Sequence, residues 1–171
     1  MEVHAQSSAA LTQLGKLIEE IPVAMLTHQD GGGTLVSRPM SPLEMDVNGA
    51  LWFFTDLNST QVEQLRKLNL SFADPARASY VSLAGHGELE NDPAHIRQRW
   101  APFMKPWFPD GPDSANLALL KFVPETAEYW DAPHSKMVRL AAMAASVMAG
   151  KPVGVGDHDT LTGLSPKTRS G

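Results

Sequence analysis

The chain has 171 residues, 43% of them hydrophobic and 19% charged, with a formal net charge of −5; that is enough for one domain with a single large core. Basic and acidic residues are well mixed, so neither a basic patch for nucleic acid nor an acidic disordered tail is expected. The absence of cysteine excludes disulfides, thiolate metal sites and cysteine nucleophiles together. Residues 1–6 lack the basic end and apolar run of a signal peptide. The longest near-apolar run, residues 140–149, is half the ~20 residues a membrane span needs. A soluble cytoplasmic protein is expected.

In chain order, Ser7 or Ser8 can cap a helix reaching to about residue 20, with Leu11, Leu14, Leu17, Ile18 and Ile21 at helical spacing and Pro22 as its stop. Residues 23–27 read as a buried strand, and Asp30-Gly31-Gly32-Gly33 as the turn into a strand running from Thr34 to about Met45. Asn48-Gly49 is a strong hairpin signal, leading into Leu51-Trp52-Phe53-Phe54-Thr55. A helix from about residue 59 to 68 and a strand over 70–73 follow. Residues 79–89 read as a long strand with a bend or bulge at Gly85 or Gly87. Asp92-Pro93 opens a helix, cap first and proline at the first helical position. Residues 106–112 form a rigid aromatic loop, and 117–122 with 126–130 give one or two last strands. Residues 137–149 read as a helix rich in Ala and Met. Residues 151–171 show no period and are expected to be a loose tail after a domain of residues 1–150. Many strands on short turns favour an antiparallel sheet or small barrel with helices, a mainly β, α+β fold.

With Asn48 and Gly49 as a two-residue loop, Met40 opposes Leu57, Pro42 opposes Thr55, and Arg38 opposes Ser59. Directly opposed residues share a face. One guanidinium and several hydroxyl or backbone donors then converge where strand becomes helix, which suits an anion such as phosphate. Pro39 and Pro42 both break ladder bonds and make this register a wager. An ordinary surface ion pair of Arg38 with Asp56, with Ser59 serving as a helix cap, explains the same residues. The six histidines are scattered without zinc-type spacing, and no nucleophile elbow is present. Trp100, Trp107 and Trp130 suit either a planar ligand or a core.

Taken together, Ser37-Arg38-Pro39-Met40, residues 51–56 with Ser59, Trp107-Phe108-Pro109-Asp110-Gly111-Pro112, and Glu128-Tyr129-Trp130-Asp131-Ala132-Pro133 leading into residues 135–139 resemble the FMN-binding split-barrel family. This is the superfamily of pyridoxamine 5′-phosphate oxidase, and the match is to its general stress protein branch over roughly residues 11–150. The resemblance implies an antiparallel six-stranded split barrel flanked by helices, a homodimer, and FMN (FAD as the alternative) held between subunits. It places Arg38 and Ser59 on the phosphate with Thr55 and Thr60. Pro39, Met40, Phe53 and Phe54 would run beside the ring and ribityl chain, with Trp107 and Trp130 as aromatic walls, which the resemblance allows to come from different subunits.

Two departures stand out. Relatives often carry lysine in the turn after the serine, where this chain reads Ser59-Thr60-Gln61-Val62. The true oxidases carry an arginine- and histidine-bearing segment near the C-terminus, unlike residues 164–169 here, so oxidation of vitamin B6 is not expected. A flavin carries its own redox chemistry, so no catalytic acid or base need show in the sequence. The resemblance thus implies a flavin-dependent oxidoreductase acting in stress. A non-catalytic flavin-storage or sensing protein and a split barrel without cofactor stand as rivals.

Overall fold

A computed structural model describes residues 1–58, 62–131, 157–162 and 164. Its strands are β1 (Glu2–Val3), β2 (Ala24–Gln29), β3 (Leu35–Met40), β4 (Glu44–Met45), β5 (Leu51–Asp56), β6 (Leu68–Asp74), β7 (Ser79–Glu90), β8 (Leu117–Asp131) and β9 (Asp157–Thr162), with helices α1 (Ala9–Ile18) and α2 (Pro93–Arg99). Among the described residues the strands form one sheet in the order β1-β4-β5-β8-β7-β6-β2-β3, with β9 also on β8. All neighbours are antiparallel except the short β1–β4 pair. The six long strands β2, β3 and β5 to β8 make the antiparallel split barrel, in keeping with the expected α+β class. The two-residue β1 and β4, with β9 on β8, extend it to nine.

Local chemistry accounts for most boundaries. Ser8 caps α1 by accepting from the Leu11 N–H, and Leu11, Leu14 and Ile18 are buried. Asp92 caps α2 by accepting from the Ala94 N–H, with Pro93 next in line. The bulge expected in β7 falls between Ala84 and Gly85, where a Cβ on Gly85 would lie 2.1 Å from the Val123 carbonyl oxygen. Residues 117–131 form one strand, Pro124 standing opposite Gly85 at the bulge.

The hairpin register requires correction. The expected strand from Thr34 to Met45 is two strands, broken at Ser41-Pro42-Leu43. β3 pairs with β2, Arg38 opposing Leu26, while β4 pairs with β5 in the register Glu44 to Trp52 and Met45 to Leu51. The turn is longer than Asn48-Gly49: Asp46 N donates to Ala50 O at 2.9 Å, and the Asp46 carboxylate accepts from the Asn48 and Ala50 N–H groups. Asp46 thus caps the loop, and Gly49 supplies the positive φ of 85° it needs. Proline 42, lacking an N–H, ends the β3 ladder. Residues 41–43 then carry the chain from one end of the sheet order to the other.

Residues 157–162, within the stretch expected to be loose, form β9 on the second half of β8, with Thr126 opposite Thr162 and Ala127 opposite Leu161. The first half of β8 holds β5 along residues 117–122. Leu164 is buried and Leu161 packs on the same core. Of the helix expected near residues 59–68, the described part is a 3-10 turn, Val62–Arg66. The helix expected over 137–149 lies outside the described residues.

Two apolar layers flank β5. Leu51 and Phe53 face the barrel core with Leu26, Leu70, Phe72, Leu83, Leu120 and Phe122 and the buried face of α1. Trp52 and Phe54 point the other way and pack with Ile96 of α2, Phe108, Leu117 and Leu119. This is the period-2 alternation of a strand buried on both sides.

Candidate functional site: a cleft at the barrel split

The sheet curls until β3 and β5 face each other across the split. Arg38 lies opposite the core residue Leu26, so its side chain leaves β3 on the barrel-interior face. Thr55, two residues beyond Phe53, leaves β5 on the corresponding face and is buried. The Arg38 Nη2 donates to Thr55 Oγ1 at 3.4 Å. Burial lowers the pKa of the Arg38 guanidinium from its ordinary value, the direction expected for a cation partly removed from water. It remains a cation at neutral pH.

Beside this pair opens a cleft of about 480 Å³, lined by residues of β3 and its exit, by Phe54, Thr55 and Asp56 of β5, and by Met104, Trp107 and Phe108. The last three come from the segment after α2. Trp107 N and Phe108 N both donate to Met104 O, at 3.0 and 3.1 Å. Phe108 is buried in the second apolar layer, whereas Trp107 is 69% exposed. The wall behind Phe54 is firmly held. Trp100 meets the Phe54 ring edge-on at 5.9 Å. Trp52 donates from Nε1 to Asp46 and carries Arg99 over its ring at 5.0 Å, and Glu44 accepts from Arg99 Nε at 3.0 Å. β3 ends the sheet order among the described residues.

Of the residues singled out in the sequence, Arg38, Pro39, Met40, Phe54, Thr55 and Trp107 line this cleft together. Phe53 does not line it; its ring is fully buried in the barrel core. Trp130 lies on the second half of β8 opposite Tyr80, away from the lining, and is 42% exposed. Ser59 and Thr60 lie outside the described residues. The lining also includes Val23, Ser41, Leu43, Asp56, Met104 and Phe108. Asp56 stood within the quoted motifs only as the ion-pair partner of Arg38 in the ordinary reading, and Phe108 without an assigned role. Met104 carries no sequence signal, because only the tertiary fold brings its segment over the split.

A sequence model described as pyridoxamine 5′-phosphate oxidase like matches residues 9–153. The chain belongs to this family. Among its relatives, Protein bli-3 of Neurospora crassa is 25% identical over 158 residues, covering 85% of this chain and 76% of that protein. A crystal structure of a general stress protein 26 candidate from Jannaschia sp. CCS1 matches with a TM-score of 0.70 and 25% identity, over 91% of this chain and 99% of the other. The general stress FMN/FAD binding protein of Xanthomonas citri matches with a TM-score of 0.62 and 27% identity, over 74% and 91% of the respective chains. The described residues thus carry the family's split-barrel fold. No helix among the described residues is long and apolar enough to cross a membrane.

Proposed function

We propose that the cleft binds a flavin, FMN in the first place and FAD as the alternative, and that the chain is a cytoplasmic flavin-dependent oxidoreductase of the general stress protein type, its flavin-binding domain reaching past the expected boundary at residue 150 to include β9. The observation that carries this is the meeting of Arg38 with Thr55 in a cleft whose other lining is mainly apolar. A guanidinium can hold two phosphate oxygens at once and a hydroxyl a third. The cleft volume falls in the range of small-molecule sites, ~300–1,000 Å³. Phe54, Met104 and Trp107 offer apolar walls for a planar ring. The residues present therefore fit the group, and the membership of the Xanthomonas citri protein among the matches supports the same reading.

In this reading Arg38 and Thr55 hold the phosphate, with Ser59 and Thr60 as expected partners. Pro39, Met40 and Phe54 lie along the ring and ribityl chain. Trp107 shields the open side. Phe53 acts at one remove, fixing the β5 backbone from the core, and Trp130 belongs to a surface away from this cleft. The flavin when bound supplies two-electron redox chemistry; the protein's part is to orient it, exclude water and set the local charge.

The exposed Val23 and Met25, the first of which lines the cleft, support a homodimer whose second copy covers this side. Mass spectrometry of whatever small molecule co-purifies tests the proposal. FMN or FAD at near-equal molar amount is expected, and a colourless protein that takes up no added flavin would overturn it. Rapid reoxidation by oxygen, or reduction by a nicotinamide donor, would separate the enzyme from a flavin-storage or sensing protein.

A further inference from the structure

Resting on the flavin reading above, we infer that the ion pair of Arg99 with Glu44, outside the cleft, positions the wall against which the flavin ring lies. Neither residue is among the described lining of the cleft; both act through the segment that follows α2. That helix is seven residues long with Ile96 as its buried side chain, too short to hold its shape or place unaided. Among the described residues it reaches its surroundings through three polar pairs: His95 with Glu90, Arg97 with Asp113 and Arg99 with Glu44. The first two lie in the open, where such pairs contribute little. The Arg99 and Glu44 side chains are only 17% and 15% exposed, and breaking a shielded pair costs far more.

Strand register builds the seat for Arg99. Glu44 and Trp52 oppose each other across β4 and β5 and so share a face. The guanidinium donates from Nε to Glu44 Oε1 at 3.0 Å and lies over the Trp52 ring at 5.0 Å. A carboxylate on one side and an indole face on the other fix the plane of the cation as well as its distance. Glu44 is held in turn, its Oε2 lying 3.4 Å from His4 Nε2. The cleft wall begins at the next residue. Trp100 closes α2 and meets Phe54 edge-on, and the Met104 carbonyl then accepts from the Trp107 and Phe108 N–H groups. Phe54, Met104, Trp107 and Phe108 all line the cleft. The wall is thus anchored by Arg99 at one end and by the buried Phe108 at the other. Releasing Arg99 lets Met104 and Trp107 move relative to Phe54.

The test is titration of FMN and riboflavin into the apoproteins of wild type, Arg99→Ala, Glu44→Ala and the double variant, each well below its melting temperature. Arg99→Lys and Glu44→Gln keep a donor or an acceptor in the seat. The single alanine variants should each weaken both flavins by about three- to tenfold, the double variant no further than either alone. The conservative variants should recover most of the affinity. Without flavin, hydrogen exchange at the Trp107 and Phe108 amides should quicken in the alanine variants. A lower melting temperature with unchanged flavin affinity and unchanged exchange would make the pair a plain stabiliser and overturn the inference. A loss confined to FMN would overturn it too, since it would point to the phosphate and not the ring. A wild-type chain that binds neither flavin would remove the flavin reading, and the pair's role in binding with it.

Discussion

Arg38 on β3 and Thr55 on β5 meet at 3.4 Å, although β8, β7, β6 and β2 lie between their strands in the hydrogen-bonded order of the sheet. The contact is made across the gap that backbone pairing leaves open. Residues 41–43 hold the two sides together covalently, and the second apolar layer braces the β5 side. A ligand that bridges β3 and β5 would therefore act on the seam of the barrel itself.

Arg38→Ala should weaken FMN binding by roughly ten- to a hundredfold, since a charge-assisted hydrogen bond contributes ~1.5–3 kcal/mol and each ~1.4 kcal/mol is tenfold. Riboflavin should lose little. Titration of both ligands into the variant checks this, and equal losses would make Arg38 a structural residue.

Trp107→Ala should leave stability within about 0.5 kcal/mol of wild type, because the side chain is largely exposed. Flavin affinity should fall by about three- to tenfold if the indole packs on the ring. Thermal unfolding and ligand titration read the two effects separately. A large fall in melting temperature with unchanged affinity would place Trp107 in the scaffold.

Gly85→Ala should destabilise the fold by about 1–3 kcal/mol, as overpacking does. The obstacle is a backbone carbonyl 2.1 Å from the new Cβ, and a carbonyl inside a ladder moves less readily than a side chain. The denaturant midpoint measures this; an unchanged midpoint would show that the bulge can shift.

Asp74 closes β6 by accepting from the Ala76 and Arg77 N–H groups and from Arg77 Nε at 2.6 Å. The Arg77 side-chain hydrogen bond, first among its causes, holds the carboxyl below its ordinary value of 3.8. A carboxyl whose pKa is depressed by folding contributes stability that is fully present above its unfolded value and is lost as pH falls through the folded one. Asp74→Asn keeps the turn but not the ion pair. Its stability deficit should be constant near neutral pH and shrink as pH falls below about 4. A deficit that grows on acidification would contradict this assignment.

If a second copy covers the cleft, Met25→Lys should favour the monomer and weaken flavin binding together, since a ligand bound between subunits stabilises the assembly by mass action. Sedimentation with and without FMN checks the coupling. A monomer that holds FMN as tightly as the wild-type assembly would confine the site to one chain.

Residue order alone settled what depends on near neighbours. Ser8 and Asp92 were legible as caps because a side-chain oxygen before a helix has one evident use. The β7 bulge was legible from Gly85 because only a residue without Cβ fits there. Arg38 and Thr55 were legible as neighbours, although the hairpin that seemed to join them pairs β5 with β4 alone and does not reach β3. Their true relation is across the split, between strands paired to others, and a local turn signal carries no information about such closure. For the same reason Phe53 read as a ligand neighbour. Alternation shows that Phe53 and Phe54 face opposite ways, but that Phe53 is enclosed by the core while Phe54 and Thr55 reach the cleft depends on how the sheet closes.

What the tertiary structure alone decided follows from contacts distant in sequence. The β9 strand comes from residues with no period, because Leu161 and Leu164 find an edge and a core only after β8 extends beyond β5. Met104 and Asp56 enter the cleft only once the barrel has curled. Local chemistry is written in adjacent residues; the closure of a sheet on itself is set by the sum of burial over the whole chain, and the cleft exists only where that closure leaves a gap.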